Sequence, residues 1–81
     1  MYRVMLVEKD RLMLEKLSAV IERTPDFSMA ARYQSKQDAL GQGRMFDPNL
    51  ILLDIDDENA VPLIAPFHTT YPQADILRMA A

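Results

Sequence analysis

Cysteine is absent and glycine nearly so, with only Gly41 and Gly43 among 81 residues. Without cysteine there is no disulfide framework and no thiolate metal site. Two isolated glycines cannot form the glycine-rich turn that cradles a phosphate, which argues against a P-loop or a dinucleotide-binding fingerprint. Positive charge is also scarce. Nine Lys and Arg stand against twelve Asp and Glu, for a formal net charge of −3. That balance argues against direct nucleic-acid binding through a basic patch. No apolar run approaches the roughly 20 residues of a membrane span, and the N-terminus lacks a long apolar region. The expected setting is cytoplasmic, with no membrane partner.

What the chain does have is apolar residues, at 49%. That suffices for one small core, so residues 1–81 are expected to form a single partial domain. At this length one core is marginal, and partner subunits or further sequence are expected to complete it. The apolar residues alternate between strand and helix patterns. Tyr2 to Glu8 reads as a first strand. Asp10 is a fitting N-cap, because its carboxylate can accept from amides two or three residues on. From Arg11 to about Arg23, Leu14, Leu17, Val20 and Ile21 recur at helical spacing, extended by Met13. Pro25 and Asp26 stop this helix.

Phe27 to Gln34 alternates, with Phe27, Met29, Ala31 and Tyr33 on one side, as in a half-exposed edge strand. Ser35 and Asp38 resemble a capping box for a short helix reaching about Arg44, weakened by its two glycines. Leu50 to Asp54 reads as a strand buried on both faces. An acidic loop, Ile55 to Asn59, leads to a third helix that Pro62 can open. Pro66 would cost roughly 3 kcal/mol or more inside a helix, so a short or kinked helix ending before Pro72 is expected. Asp75 to Met79 reads as a fourth strand. Such alternation implies right-handed crossovers and an α/β fold with a parallel sheet. A buried first strand, an edge-like second and a buried third give the order 2-1-3-4.

In that order the first and third strands are neighbours, and Glu8 and Asp54 converge at their carboxyl ends. Open α/β sheets bind ligands where the strand order reverses. Lys9 follows Glu8 directly and could reach either acid or point to solvent.

These segments resemble a known family in order and spacing. Val4-Met5-Leu6-Val7-Glu8, Thr24-Pro25-Asp26-Phe27 and Ser35-Lys36-Gln37-Asp38-Ala39-Leu40 look like successive parts of a bacterial response-regulator receiver domain. So do Asp47-Pro48-Asn49-Leu50-Ile51-Leu52-Leu53-Asp54-Ile55 and Tyr71-Pro72-Gln73-Ala74-Asp75-Ile76-Leu77. The resemblance implies a receiver-like, flavodoxin-like fold, truncated after the fourth strand. It implies Asp54 as phosphoacceptor in two-component signalling, with magnesium held by Glu8, Asp54 and the backbone carbonyl of Asp56. Magnesium neutralises phosphoryl charge and orients in-line transfer, and oxygen ligands suit it.

The pattern also departs from the family. Lys9 stands where a second acid is usual, and Ala80 where a hydroxyl residue senses the phosphoryl group. The loop Asp56-Asp57-Glu58-Asn59 lacks the usual proline and glycines. Expected, then, is a degenerate, non-enzymatic module of a two-component or transcriptional regulator that binds magnesium weakly. Its partners would be a sensor histidine kinase or phosphotransfer protein and a second copy of itself as a dimer. DNA would be reached only through an effector region absent here.

An alternative is an interaction or dimerisation module without phosphoryl chemistry, which Lys9 and Ala80 favour. Asp54-Ile55-Asp56 also resembles the start of a haloacid-dehalogenase-type phosphatase, with a nucleophile and an acid/base two residues on. There Glu58 stands where threonine or valine is usual. His68, the only histidine, has no partner set and reads as a helix-surface residue. The resemblance also implies docking of phosphotransfer partners near the first helix, which gives Met13 a minor second reading beside its place in the core.

Overall fold

A computed structural model describes residues 1–54 and 60–79. The described elements are β1 (Tyr2–Val7), α1 (Arg11–Arg23), β2 (Phe27–Tyr33), α2 (Lys36–Gln42), β3 (Leu50–Asp54), α3 (Ala60–Thr70) and β4 (Asp75–Met79). A 3-10 turn, Gly43–Phe46, extends α2. The four strands form one parallel sheet in the order β2-β1-β3-β4. This is the α/β arrangement that the sequence pattern predicts.

Local signals set the helix starts. The Asp10 side chain accepts from the amides of Leu12 at 2.9 Å and Met13 at 3.3 Å. Ser35 accepts from the Asp38 amide at 3.2 Å. Each bond satisfies a first-turn donor that has no partner inside its helix. At the amino end of the sheet, Asn49 Oδ1 accepts from the Arg3 amide at 2.7 Å, and the Asn49 amide donates to the Arg3 carbonyl at 3.0 Å. Asn49 thereby fixes β3 against β1.

The sheet separates two cores. Met5, Val7, Ile51 and Leu53 pack with Ala39 of α2, with Phe67 of α3 and with Tyr71 just after it. Val4, Leu6 and Leu50 pack with Leu14 and Ile21 of α1 on the other face. This division corrects the expected sidedness of β2. Phe27 and Met29 pack on the α1 side, but Ala31 and Tyr33 join the opposite core. The cause is a register shift: Val4 pairs with Met29 and Met5 with Ala31, so Ala30 is left over. One extra residue sends every later side chain of the strand to the other face.

Two other expectations change. The buried positions of α1 are Leu14, Ser18 and Ile21, whereas Val20 is 54% and Met13 45% exposed. Val20 and Met13 lie on the flank of the helix, beside the stripe that meets the sheet. Ser18 is tolerated inside because its hydroxyl donates to the Leu14 carbonyl at 2.6 Å. α3 ends at Thr70, before Pro72 as expected, but it runs 11 residues with Pro66 inside it. Pro66 is exposed, while Phe67 is fully buried and Ile64 half-buried against the core. Burying a side chain such as Phe67 contributes about 1.5–3 kcal/mol, comparable to the proline's cost.

Candidate functional site

The chain leaves β1 through α1 toward β2, and leaves β3 through α3 toward β4. α1 packs on one face of the sheet and α3 on the other, and in open α/β sheets ligands bind at the carboxyl ends of the strands where such connections diverge. Glu8 and Asp54 stand at this point. Val4 and Leu6, then Leu50 and Leu52, set the alternation that turns both acids toward the α1 side.

Glu8 is buried, with 5% of its surface exposed. Its amide donates to the Tyr33 carbonyl at 3.0 Å, which continues the β1–β2 ladder one residue past the strand. Its Oε1 accepts from the Asp10 amide at 3.1 Å. Burial raises its pKa above the ordinary value. The Asp10 amide opposes this, while a side-chain hydrogen bond with Asp54 and the charges of Asp54 and Asp10 add to it. The net result is a carboxyl that holds its proton more tightly than an ordinary glutamate, beside a second carboxyl.

Lys9 is exposed, and its backbone carbonyl accepts from Gln34 Nε2 at 3.1 Å. Asp56, Asp57, Glu58 and Ala80 lie outside the described residues, as does the rest of the expected acidic loop. His68 is exposed in the last turn of α3.

Among the described residues, no three acids, histidines or cysteines gather as a metal cage. The two carboxyls that do meet have the oxygen chemistry a small hard cation prefers. They fit such a cation when both are ionised. No helix of the described residues is long and apolar enough to cross a membrane.

A second polar feature had no signal in the residue pattern. The buried Tyr71 hydroxyl donates to the Ala39 carbonyl, tying the start of the α3–β4 turn to α2. Burial, with a smaller contribution from Tyr33, raises the Tyr71 pKa, and Arg44 partly offsets this. A cleft of about 200 Å3 beside it, lined by Arg44, Asp47, Thr70 and Gln73, opens at the amino end of the sheet, away from Glu8 and Asp54.

Neither a protein-family model nor a curated protein matches the chain.

Proposed function

We propose that the chain is a receiver-like signalling module with Asp54 at the phosphoacceptor position and degenerate phosphotransfer chemistry. One observation carries this: β1 and β3 pair in parallel at the point where the strand order reverses, and they bring Glu8 and Asp54 close enough for the Asp54 carboxylate to raise the Glu8 pKa. Paired acids at that place are the minimum for receiving a phosphoryl group. An Asp54 oxygen would form the bond to phosphorus while the donor's bridging atom, the oxygen of acetyl phosphate or the nitrogen of phosphoramidate or a phosphohistidine, leaves with the electron pair of the broken bond. Magnesium, when bound, would neutralise phosphoryl charge, and Glu8 and Asp54 would hold it.

The same pair supports the degeneracy. Because burial raises the Glu8 pKa, a cation competes there with a more tightly held proton than at an ordinary carboxyl. Lys9 stands where a further acid would add a ligand oxygen, so the site has one carboxylate fewer with which to hold a cation. The physiological donor would be a sensor kinase or phosphotransfer protein, and the response would pass to another protein or to an effector region.

The test uses acetyl phosphate and phosphoramidate in excess magnesium, read by intact mass. Expected is slow, sub-stoichiometric gain of one phosphoryl group, labile to hydroxylamine and lost in Asp54→Asn. Rapid stoichiometric gain would overturn the degeneracy. No gain after prolonged exposure to either donor would favour an interaction module, for which Lys9 is the motivating residue.

A further inference from the structure

The two flanks of α1 differ in character. At 3.6 residues per turn, Arg11, Glu15 and Glu22 fall on one side of the buried Leu14, Ser18 and Ile21, and Met13, Leu17 and Val20 on the other. Arg11 and Glu15 line a cleft with Arg32, Tyr33 and Gln34, so the charged flank lies toward β2. The apolar flank therefore lies toward β3 and β4. There Val20 is 54% exposed and Met13 45% exposed, and Leu77 of β4 is 53% exposed. Leu77 alternates with Met79, and Met79, Leu52 and Leu17 border the α1-side core. Leu52, Leu77 and Met79 make the floor of an apolar trough, and Met13, Leu17 and Val20 its wall. Both α2 and α3 lie on the opposite face.

We propose that a second copy of the chain fills this trough. The two α1 helices lie side by side and parallel, each covered by the other copy's β3 and β4. Three features select this occupant. A trough between a helix and a sheet has the width of a helix, since packed helices sit about 8–10 Å apart. The stripe Met13, Leu17 and Val20 has i, i+4, i+7 spacing, so one ridge serves as wall in one copy and as filler in the other. Such reuse is the mark of a two-fold contact.

The third feature is charge. Tyr2 donates its amide to the Asp26 carbonyl at 2.7 Å, and Leu50 pairs with Asp75. The end of α1, with Arg23, thus lies at the same end of the sheet as the start of β4, with Asp75. In the parallel arrangement Arg23 of each copy faces Asp75 of the other. Leu12, 60% exposed on the outer side of α1, then rests on the partner's floor, and the Lys16 stem can lie along it with its ammonium in water. The inference does not depend on phosphoryl chemistry at Asp54.

Analytical ultracentrifugation of the chain from low to high micromolar concentration tests it. Expected is a concentration-dependent dimer that Leu77→Lys weakens about tenfold or more, the loss of one well-placed apolar contact. Val20→Lys, at an exposed helix position, should do the same and serves if Leu77→Lys does not fold. Circular dichroism checks folding of each variant. Arg23→Asp or Asp75→Arg alone should weaken the dimer, and the two together should restore it. A monomer at high micromolar concentration would overturn the proposal. So would a Val20→Lys dimer as tight as the parent, or a charge-swapped double variant no tighter than either single one.

Discussion

The two faces of the sheet are built differently. On one, Met5, Val7, Ile51 and Leu53 are roofed by Ala39, Phe67 and Tyr71. The Tyr71 hydroxyl buried there is bonded to the Ala39 carbonyl. On the other, α1 covers Val4, Leu6 and Leu50 but leaves Val20 and Leu77 open. Glu8 and Ser18, the buried polar residues of the described chain, both belong to this second face. The closed face is packed for stability. The half-open face carries the acid pair and the exposed apolar flank of α1, neither of which adds to the packing of the core.

The sharpest way to break this comparison is to cut the roof of the closed face. Phe67 is fully buried at its centre. Phe67→Ala should cost about 3–5 kcal/mol, from lost transfer energy plus the cavity left behind. Leu77→Ala, on the open face, should stay within about 0.5 kcal/mol when measured on monomer. Urea unfolding at one low protein concentration checks both. Similar costs for the two would mean that the faces share the load evenly.

A smaller effect distinguishes two glycines of the same region. A Cβ on Gly43 would overlap the Tyr71 hydroxyl and the Met5 sulfur, whereas one on Gly41 would meet open space. Gly43→Ala should therefore cost about 1–3 kcal/mol by overpacking. Gly41→Ala should stabilise by about 0.4–1 kcal/mol, because it restricts the unfolded chain without strain. Tyr71→Phe combined with Gly43→Ala should recover part of the loss, since the closest overlapping atom is gone. Thermal melts of the three variants and the parent report the pattern. Equal effects at Gly41 and Gly43 would show that the closed face has slack.

Much of this architecture is legible in the sequence because its signals are local. Asp10 and Ser35 cap where capping residues should. The apolar runs Val4–Val7 and Leu50–Leu53 give buried strands, and with the order 2-1-3-4 they bring Glu8 beside Asp54. What escapes is decided between elements. The side taken by Ala31 and Tyr33 depends on a one-residue shift against β1, which no property of Phe27–Tyr33 announces. Val20 looks like core by spacing, yet its exposure depends on how far α1 reaches across the sheet. The penalty of Pro66 is local, but the burial of Phe67 that offsets it is not. Tyr71 gives no sign in the chain that its hydroxyl will meet Ala39, 32 residues away.

The smallest perturbation replaces one oxygen at the acid pair and separates the two faces by pH. Glu8 is a carboxyl whose folded-state pKa lies above its ordinary 4.5, chiefly through burial. The folded chain therefore binds this proton more tightly than the unfolded chain. Below about pH 4 both states hold it, and its contribution to stability is whole. As pH rises through 4.5 the unfolded chain releases the proton while the folded chain keeps it. Stability falls across that window, until the folded chain has released the proton as well. Glu8→Gln has the same shape. Its carbonyl can still accept from the Asp10 amide and its NH2 can donate to Asp54, with no proton to lose. The Tm of Glu8→Gln relative to the parent should start near zero at about pH 4 and become more positive toward about pH 8. The deficit of Phe67→Ala, on the face without a buried acid, should stay level over the same range. Melts in chelator keep adventitious cations out of the comparison. A Glu8→Gln difference that is flat, or that turns negative as pH rises, would mean that Glu8 is held as a charged carboxylate. The half-open face would then store no penalty at its acid pair.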